Sequence, residues 1–293
     1  MLETIQRTSV ISFPMLGGLT LNPPAFFMLF GRPIYFYGVL IGLGFVLGIL
    51  LCARRAKRFG LKEDDVYDVM IWLIPCSILG ARLYYVLFQL DYYLQHPDEL
   101  FAIWNGGIAI YGGVIGGILA VWLVCRRKKI PVLAMMDDLS CGLLLGQIIG
   151  RWGNFFNREV FGGYTDSLLA MKFPASMARA SDISEEIAAH MTDGCIQVHP
   201  TFLYEGIWNF CLLMLLIFAL KYRKFHGQII LLYLMGYGIG RALIETIRTD
   251  QLFIPGTTVP VNMVMGICVA IAALTAIVIG ISRAGKKEEA GKA

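Results

Sequence analysis

The sequence predicts an all-α polytopic membrane protein with about seven transmembrane helices. Three observations carry that prediction. Of the 293 residues, 57% are apolar or aromatic and only 16% are charged, against roughly 45–50% and about 25% in ordinary soluble domains. Mean hydropathy over the whole chain is +0.66. The apolar residues are also gathered into runs, and a helix needs roughly 20 such residues to cross the hydrocarbon core. This composition excludes an average soluble domain. It also excludes a collagen-like or disordered chain, because the 32 Gly and 11 Pro follow no strict period and aromatics are plentiful.

Taken in order, residues 1–33 read as an N-terminal arm, irregular or interfacial. Its apolar stretch is broken by Pro14, Gly17, Gly18, Pro23 and Pro24, and it lacks the basic region of a cleavable signal. Spans are predicted at 34–52, 69–90, 108–124 and 133–150, and then at 203–220, 229–247 and 260–282. The polar stretch between them, 151–202, is too long for a simple connector and predicts a small extramembrane or re-entrant subdomain. The chain is thus divided into the arm 1–33, spans one to four over 34–150, the insert 151–202, spans five to seven over 203–282, and a basic tail 283–293.

Charge gives the orientation. Sixteen of the 25 Lys and Arg residues lie in loops 53–62, 125–132 and 221–227 and in the tail. The other side has Arg7, Arg32, Arg151, Arg158, Lys172, Arg179 and Arg248. Short basic clusters beside span ends mark the cytoplasmic face. The N-terminus and the insert are therefore expected outside, with the C-terminus in the cytoplasm. Arg126-Arg127-Lys128-Lys129 reads as a topology anchor or as a lipid-phosphate patch. The seven cysteines form no CxxC pair and six fall in apolar runs. They indicate neither a zinc site nor a disulfide framework and read as inert buried thiols.

Ionisable groups inside spans are costly and need a reason. Arg82 lies in the outer half of the second span, and Arg151 with Asn154 at the outer end of the fourth. Tyr204 and Glu205 open the fifth. Tyr237, Arg241 and Glu245 are spaced i, i+4, i+8 on one face of the sixth. Tyr37 and Tyr111 begin the first and third spans. Bland readings exist for each: Arg241 and Glu245 as a neutral pair, the tyrosines as interfacial belt residues, Arg82 snorkelling. They explain poorly why several arginines share one depth. The guanidinium fork binds phosphate oxygens bidentately, so the cluster points to an anionic lipid headgroup in the outer leaflet. Gly106-Gly107, ahead of the third span, reads as a sharp turn or as a place where backbone approaches a ligand.

These residues also carry a family resemblance. Gly150-Arg151-Trp152-Gly153-Asn154-Phe155-Phe156-Asn157-Arg158-Glu159 resembles the signature of the bacterial prolipoprotein diacylglyceryl transferases. Tyr37-Gly38, Gly80-Ala81-Arg82, His199-Pro200-Thr201-Phe202-Leu203-Tyr204-Glu205, and Gly236-Tyr237-Gly238 with Arg241 and Glu245 agree in order and spacing. The resemblance covers about residues 30–282. It implies transfer of the diacylglyceryl group of phosphatidylglycerol to the lipobox cysteine thiol of a prolipoprotein signal peptide, with release of glycerol 1-phosphate. That is the first step of bacterial lipoprotein maturation. It implies a multi-pass protein of the bacterial cytoplasmic membrane, its site facing the outer leaflet among membrane lipids. No metal, organic cofactor or nucleic acid is expected.

On this resemblance Arg151 and Arg241 are expected to stabilise the leaving phosphate. Asn154 donates to phosphate or glycerol oxygens, and Glu205 and Glu245 orient the arginines. Tyr37, Arg82, Gly106, Gly107, Asn157, Glu159, His199, Tyr204 and Tyr237 are expected around the lipid, although His199 before Pro200 also reads as a turn or cap. One departure matters. Where well-known members carry a histidine before Gly112-Gly113, proposed there as the base, this chain has Tyr111. A phenol, with an ordinary pKa of about 10, is mostly protonated at neutral pH. Catalytic Tyr111 is therefore expected either to relay the proton or, the favoured reading, to hydrogen-bond the lipid headgroup while the arginines lower the thiol's own pKa. Two other classes compete. A transporter should show inverted repeats and midplane polar groups, and neither is found. A non-enzymatic lipid-binding protein would carry the same arginines.

Overall fold

Seven helices of the computed structural model are long and apolar enough to cross a membrane. The structure describes residues 10–290, so Arg7 and the end of the tail lie outside the described residues. The chain begins with strands β1 (Ile11–Phe13), β2 (Leu19–Leu21), β3 (Phe26–Leu29) and β4 (Arg32–Tyr35). Helices α1 (Phe36–Arg55), α2 (Glu63–Phe88), α3 (Leu90–Gln95), α4 (Ile110–Lys128) and α5 (Val132–Asn157) follow. The remainder is β5 (Met171–Pro174), α6 (Glu185–Ala189), β6 (Cys195–Val198), α7 (Thr201–Ala219), α8 (Gln228–Glu245) and α9 (Val261–Ala290).

Several helix ends run past the predicted spans, and two of them, in α2 and α5, show the reason. Polar residues in a terminal turn look like loop when only apolar runs are counted. α2 starts at Glu63 because Glu63, Asp64 and Asp65 fill its first turn, where carboxylates suit the helix dipole. α5 runs on to Asn157, so Arg151, Asn154 and Asn157 are helical rather than part of the insert. The described part of the arm is also not irregular. β1 and β2 form a hairpin that joins β5 and β6 in one antiparallel sheet, in the order β2-β1-β5-β6. Alternation explains it: Met171 and Phe173 point inward while Lys172 and Pro174 are less buried. Ile11, Phe13, Ile196 and Val198 complete that small core against Phe155 and Phe202. The all-α expectation thus holds for the spans, with a β cap added by the arm and the insert.

The chain divides into two compact units, residues 49–140 and residues 1–48 with 141–293. In residues 49–140, α2 packs on α4 through facing glycines. A Cβ at Gly80 would lie 2.5 Å from the Gly112 carbonyl oxygen and 3.1 Å from Gly116 Cα. Small residues let membrane helices approach this closely. Lys128, at the end of α4, pairs with Asp65 at 3.3 Å and with Asp68. In the other unit, Gly48 meets the Gly142 carbonyl between α1 and α5, and Gly238 meets that of Gly266 between α8 and α9. Among the described residues none of the seven cysteines forms a disulfide.

This packing makes a direct prediction. Gly80→Ala forces a methyl onto backbone that cannot yield and should cost about 1–3 kcal/mol. Gly42→Ala, with nothing within 4 Å of its Cβ, should cost nothing. Thermal unfolding of the two purified variants in detergent checks it, and equal midpoints would refute the close-packing account.

Candidate active site

The charged residues of the larger unit converge on one carboxylate. α7 starts at Thr201 and the neighbouring α8 ends at Glu245, which brings Glu205 beside Arg241. Arg151, near the end of α5, meets Glu205 Oε2 at 2.5 Å. Arg248 Nη1 donates to Glu205 Oε1 at 3.4 Å, and Arg241 Nη1 stands 3.9 Å from the same oxygen. Glu245 is fully buried. Its Oε2 lies 2.7 Å from Arg241 Nη2 and 4.0 Å from Arg248 Nε, while Oε1 accepts from Asn262 Nδ2 at 2.9 Å. The first of these is a charge contact without the alignment of a hydrogen bond. The exposure of these side chains decides what such a site can do. The glutamates are 6% and 1% exposed, whereas Arg151 and Arg241 retain 21% and 18%. Buried carboxylates thus hold the guanidiniums from beneath, leaving the cations to face an incoming anion.

Arg248 is the residue the sequence reading placed on the outer face but not in the site. It lies just beyond the sixth apolar run, 229–247, yet its spacing from Arg241 and Glu245 (i, i+4, i+7) was a visible signal. It also donates to both Asp250 oxygens, at 2.8 and 2.6 Å. Burial pushes the Asp250 carboxyl up, but the Arg248 hydrogen bonds and charge outweigh it and hold it below the usual carboxylate range.

The rest of the signature segment forms a second polar group in this unit. Asn154 and Asn157 Nδ2 donate to Glu159 Oε1, at 3.1 and 3.5 Å, and Arg179 reaches Glu159 Oε2 at 3.1 Å. The Tyr37 ring packs against Gly153, where a Cβ would stand 2.7 Å from a ring carbon. His199 Nδ1 lies 3.2 Å from the Tyr204 hydroxyl. Burial lowers the His199 pKa below the ordinary imidazole value, against the opposing pull of Glu186. Tyr237 lines a small cleft with Arg241, Glu205, Trp208, Asn209, Gly240 and Ile244.

The other four candidates belong to residues 49–140. Arg82 is 6% exposed and donates to four backbone carbonyls: Leu100 at 2.9 Å, Glu99 at 2.5 Å, Gly106 at 2.9 Å and Gly107 at 2.8 Å. Its guanidinium also sits over the Tyr93 ring, 5.1 Å from the centroid. Gly106 and Gly107 have positive φ, and a Cβ on Gly107 would fall 2.5 Å from Arg82 Nη1. The glycine pair therefore turns its carbonyls onto an arginine of its own unit. Tyr111 is 44% exposed, its ring 6.5 Å from that of Tyr84. Among the described residues no group of His, Cys, Asp and Glu is arranged to hold a metal ion.

If Glu205 is what keeps three arginines together, Glu205→Ala should destabilise strongly, by about 3–5 kcal/mol, because buried cations lose their counter-charge. Adding Arg248→Ala to that variant should recover part of the loss. A double-mutant cycle read by thermal unfolding measures the coupling, and strictly additive losses would show that the two do not interact.

A profile of the prolipoprotein diacylglyceryl transferase family matches residues 24–279. Three similar proteins bear the name phosphatidylglycerol–prolipoprotein diacylglyceryl transferase. That of Limosilactobacillus reuteri (strain DSM 20016) is 42% identical over 267 residues, spanning 88% of this chain and 91% of its own. That of Clostridioides difficile (strain 630) is 43% identical over 228 residues, 78% and 84% of the two chains. That of Lysinibacillus sphaericus (strain C3-41) is 38% identical over 260 residues, 87% and 92%. On this similarity, which takes in every candidate residue of the site, the chain belongs to the prolipoprotein diacylglyceryl transferase family.

Proposed function

We propose that this protein transfers the diacylglyceryl group of phosphatidylglycerol to the lipobox cysteine thiol of prolipoproteins, at the outer leaflet of the bacterial cytoplasmic membrane. The observation that carries the reading is the guanidinium pair of Arg151 and Arg241, part-exposed above the buried Glu205 and Glu245. A thiolate attacks the glycerol carbon that bears the phosphate. The C–O bond breaks, its electron pair stays with the phosphate oxygen, and glycerol 1-phosphate leaves. The developing charge on that oxygen is what the enzyme must stabilise, and two guanidiniums held in place by buried carboxylates do so without reorganising. Asn154, fixed by Glu159, is suited to a headgroup oxygen, while Tyr37 is suited to its hydroxyls. Arg82, committed to carbonyls, shapes the loop 99–107.

The thiol needs help to ionise. Bringing its pKa from about 8.5 to 7 takes about 2 kcal/mol, whereas moving a phenol from about 10 to 7 takes about 4 kcal/mol. Neighbouring cations supply the smaller shift more readily, so Tyr111 is assigned no base role. A non-enzymatic lipid-binding protein would lack turnover altogether. Thiol-dependent release of glycerol phosphate from phosphatidylglycerol by the purified protein tests the enzyme reading, and its absence would refute it.

Arg151→Ala should abolish transfer while expression and insertion stay near normal, and Arg151→Lys should rescue poorly because a point charge cannot replace the fork. Full activity of the alanine variant at matched expression would remove Arg151 from the clamp. Tyr111→Phe should keep measurable turnover with a little-changed pH profile. Its complete inactivity, alongside an active Tyr111→His, would instead make this position the general base.

A further inference from the structure

Among the described residues, one of the buried polar atoms without a hydrogen-bond partner lies beside the arginine cluster. Asn209 lies on α7 one turn beyond Glu205 and is 2% exposed, and its Nδ2 has no hydrogen-bond partner among the described residues. A buried donor left unmade costs its whole desolvation, which an apolar side chain of similar size would avoid. The amide therefore serves a partner that arrives with a ligand. It lines the same cleft as Glu205, Trp208, Tyr237 and Arg241, a space for about one water-sized group. Of the other donors there, Trp208 Nε1 is already used, donating to the Gly236 carbonyl at 2.9 Å, and Arg241 is paired with Glu245.

Depth identifies the partner. Asn209 follows Glu205 by four residues on α7, and Tyr237 precedes Arg241 by four on the adjacent α8. With a rise of 1.5 Å per residue, Asn209 and Tyr237 make a layer about 6 Å further from the helix ends than Glu205 and Arg241. In a glycerophospholipid the headgroup glycerol lies outward of the phosphate, and the two acyl ester carbonyls lie inward of it by a few bonds. An unused amide donor in an oxygen-sized notch, beside the Tyr237 hydroxyl and one layer inward of a phosphate clamp, matches an ester carbonyl and not a headgroup hydroxyl. We infer that Asn209 donates to an acyl ester carbonyl of the diacylglyceryl group and so makes the site selective for diester over diether lipid. The inference rests on the transferase reading, in which Arg151 and Arg241 hold the phosphate.

The full-length protein in proteoliposomes, given a lipobox peptide, is assayed for kcat/KM with dioleoyl phosphatidylglycerol and with its diether analogue. The wild type should favour the diester by about tenfold, the worth of one hydrogen bond. Asn209→Leu and Asn209→Ala should bring the ratio near one, mainly by losing diester rate, and Asn209→Leu should unfold at no lower temperature than the wild type. A wild type indifferent to the ester, or variants that lose both substrates alike with the ratio intact, would overturn the assignment. Transfer from neither lipid by the wild type would refute the transferase reading itself and take the Asn209 assignment with it.

Discussion

A single buried carboxylate among three guanidiniums sets the terms for the larger unit. Glu205 is 5% exposed and faces Arg151, Arg241 and Arg248, each from a different segment. A buried charge without counter-charge is not tolerated, and neither are three cations without an anion. The end of α5, the start of α7, the end of α8 and the turn after it must therefore meet at one point. This accounts for helical structure through Asn157, well beyond the apolar run, and for Arg248 lying beside a helix that formally ends at Glu245.

The backbone around that point is knit to match. Gly162 N–H donates to the His199 carbonyl at 3.0 Å, Gly163 N–H to that of Ile247 at 2.8 Å, and His199 N–H to that of Gly163 at 3.0 Å. The start of the insert at Gly162-Gly163, the approach to α7 and the turn carrying Arg248 are thus tied together. Gly162 is the residue that permits it, since a Cβ there would stand 2.6 Å from the Ile247 carbonyl oxygen. Thr201 adds a hydrogen bond to the Val160 carbonyl, while Val160 itself sits at φ 57, a costly conformation for a β-branched residue. Strain of that kind persists where the surroundings over-determine the chain, and here three segments converge on it.

What was legible in the sequence follows from this physics. The spans were legible because a bilayer demands long apolar runs. Arg151, Glu205, Arg241 and Glu245 were legible because charge inside such a run must be explained. Arg248 was not, because it falls outside the run and only its helical spacing betrayed it. Arg82 shows the opposite limit. A charge in an apolar run looks the same whether it awaits a phosphate or is held by the carbonyls of residues 99–107, which lie far along the chain. The β cap was hidden too. Its strands are three or four residues long, and Ser12 pairs with Lys172, a partner no local pattern reveals.

The same distribution of charge resolves a conflict built into membrane-interface chemistry. A site for a lipid phosphate must be cationic, yet bare cations at the edge of a hydrocarbon layer repel one another and hold water. Placing the carboxylates beneath the arginines lets them cancel the cations' mutual repulsion without competing for the ligand. In the proposed reaction, low surrounding polarity would then strengthen whatever the guanidiniums do to a phosphate, and the counter-charges would keep them in place before a lipid arrives. Moving the same carboxylates to the open side would neutralise the cluster just as well in formal charge. It would also put negative charge in the path of an anionic lipid, which is why the burial of Glu205 and Glu245 matters more here than their number.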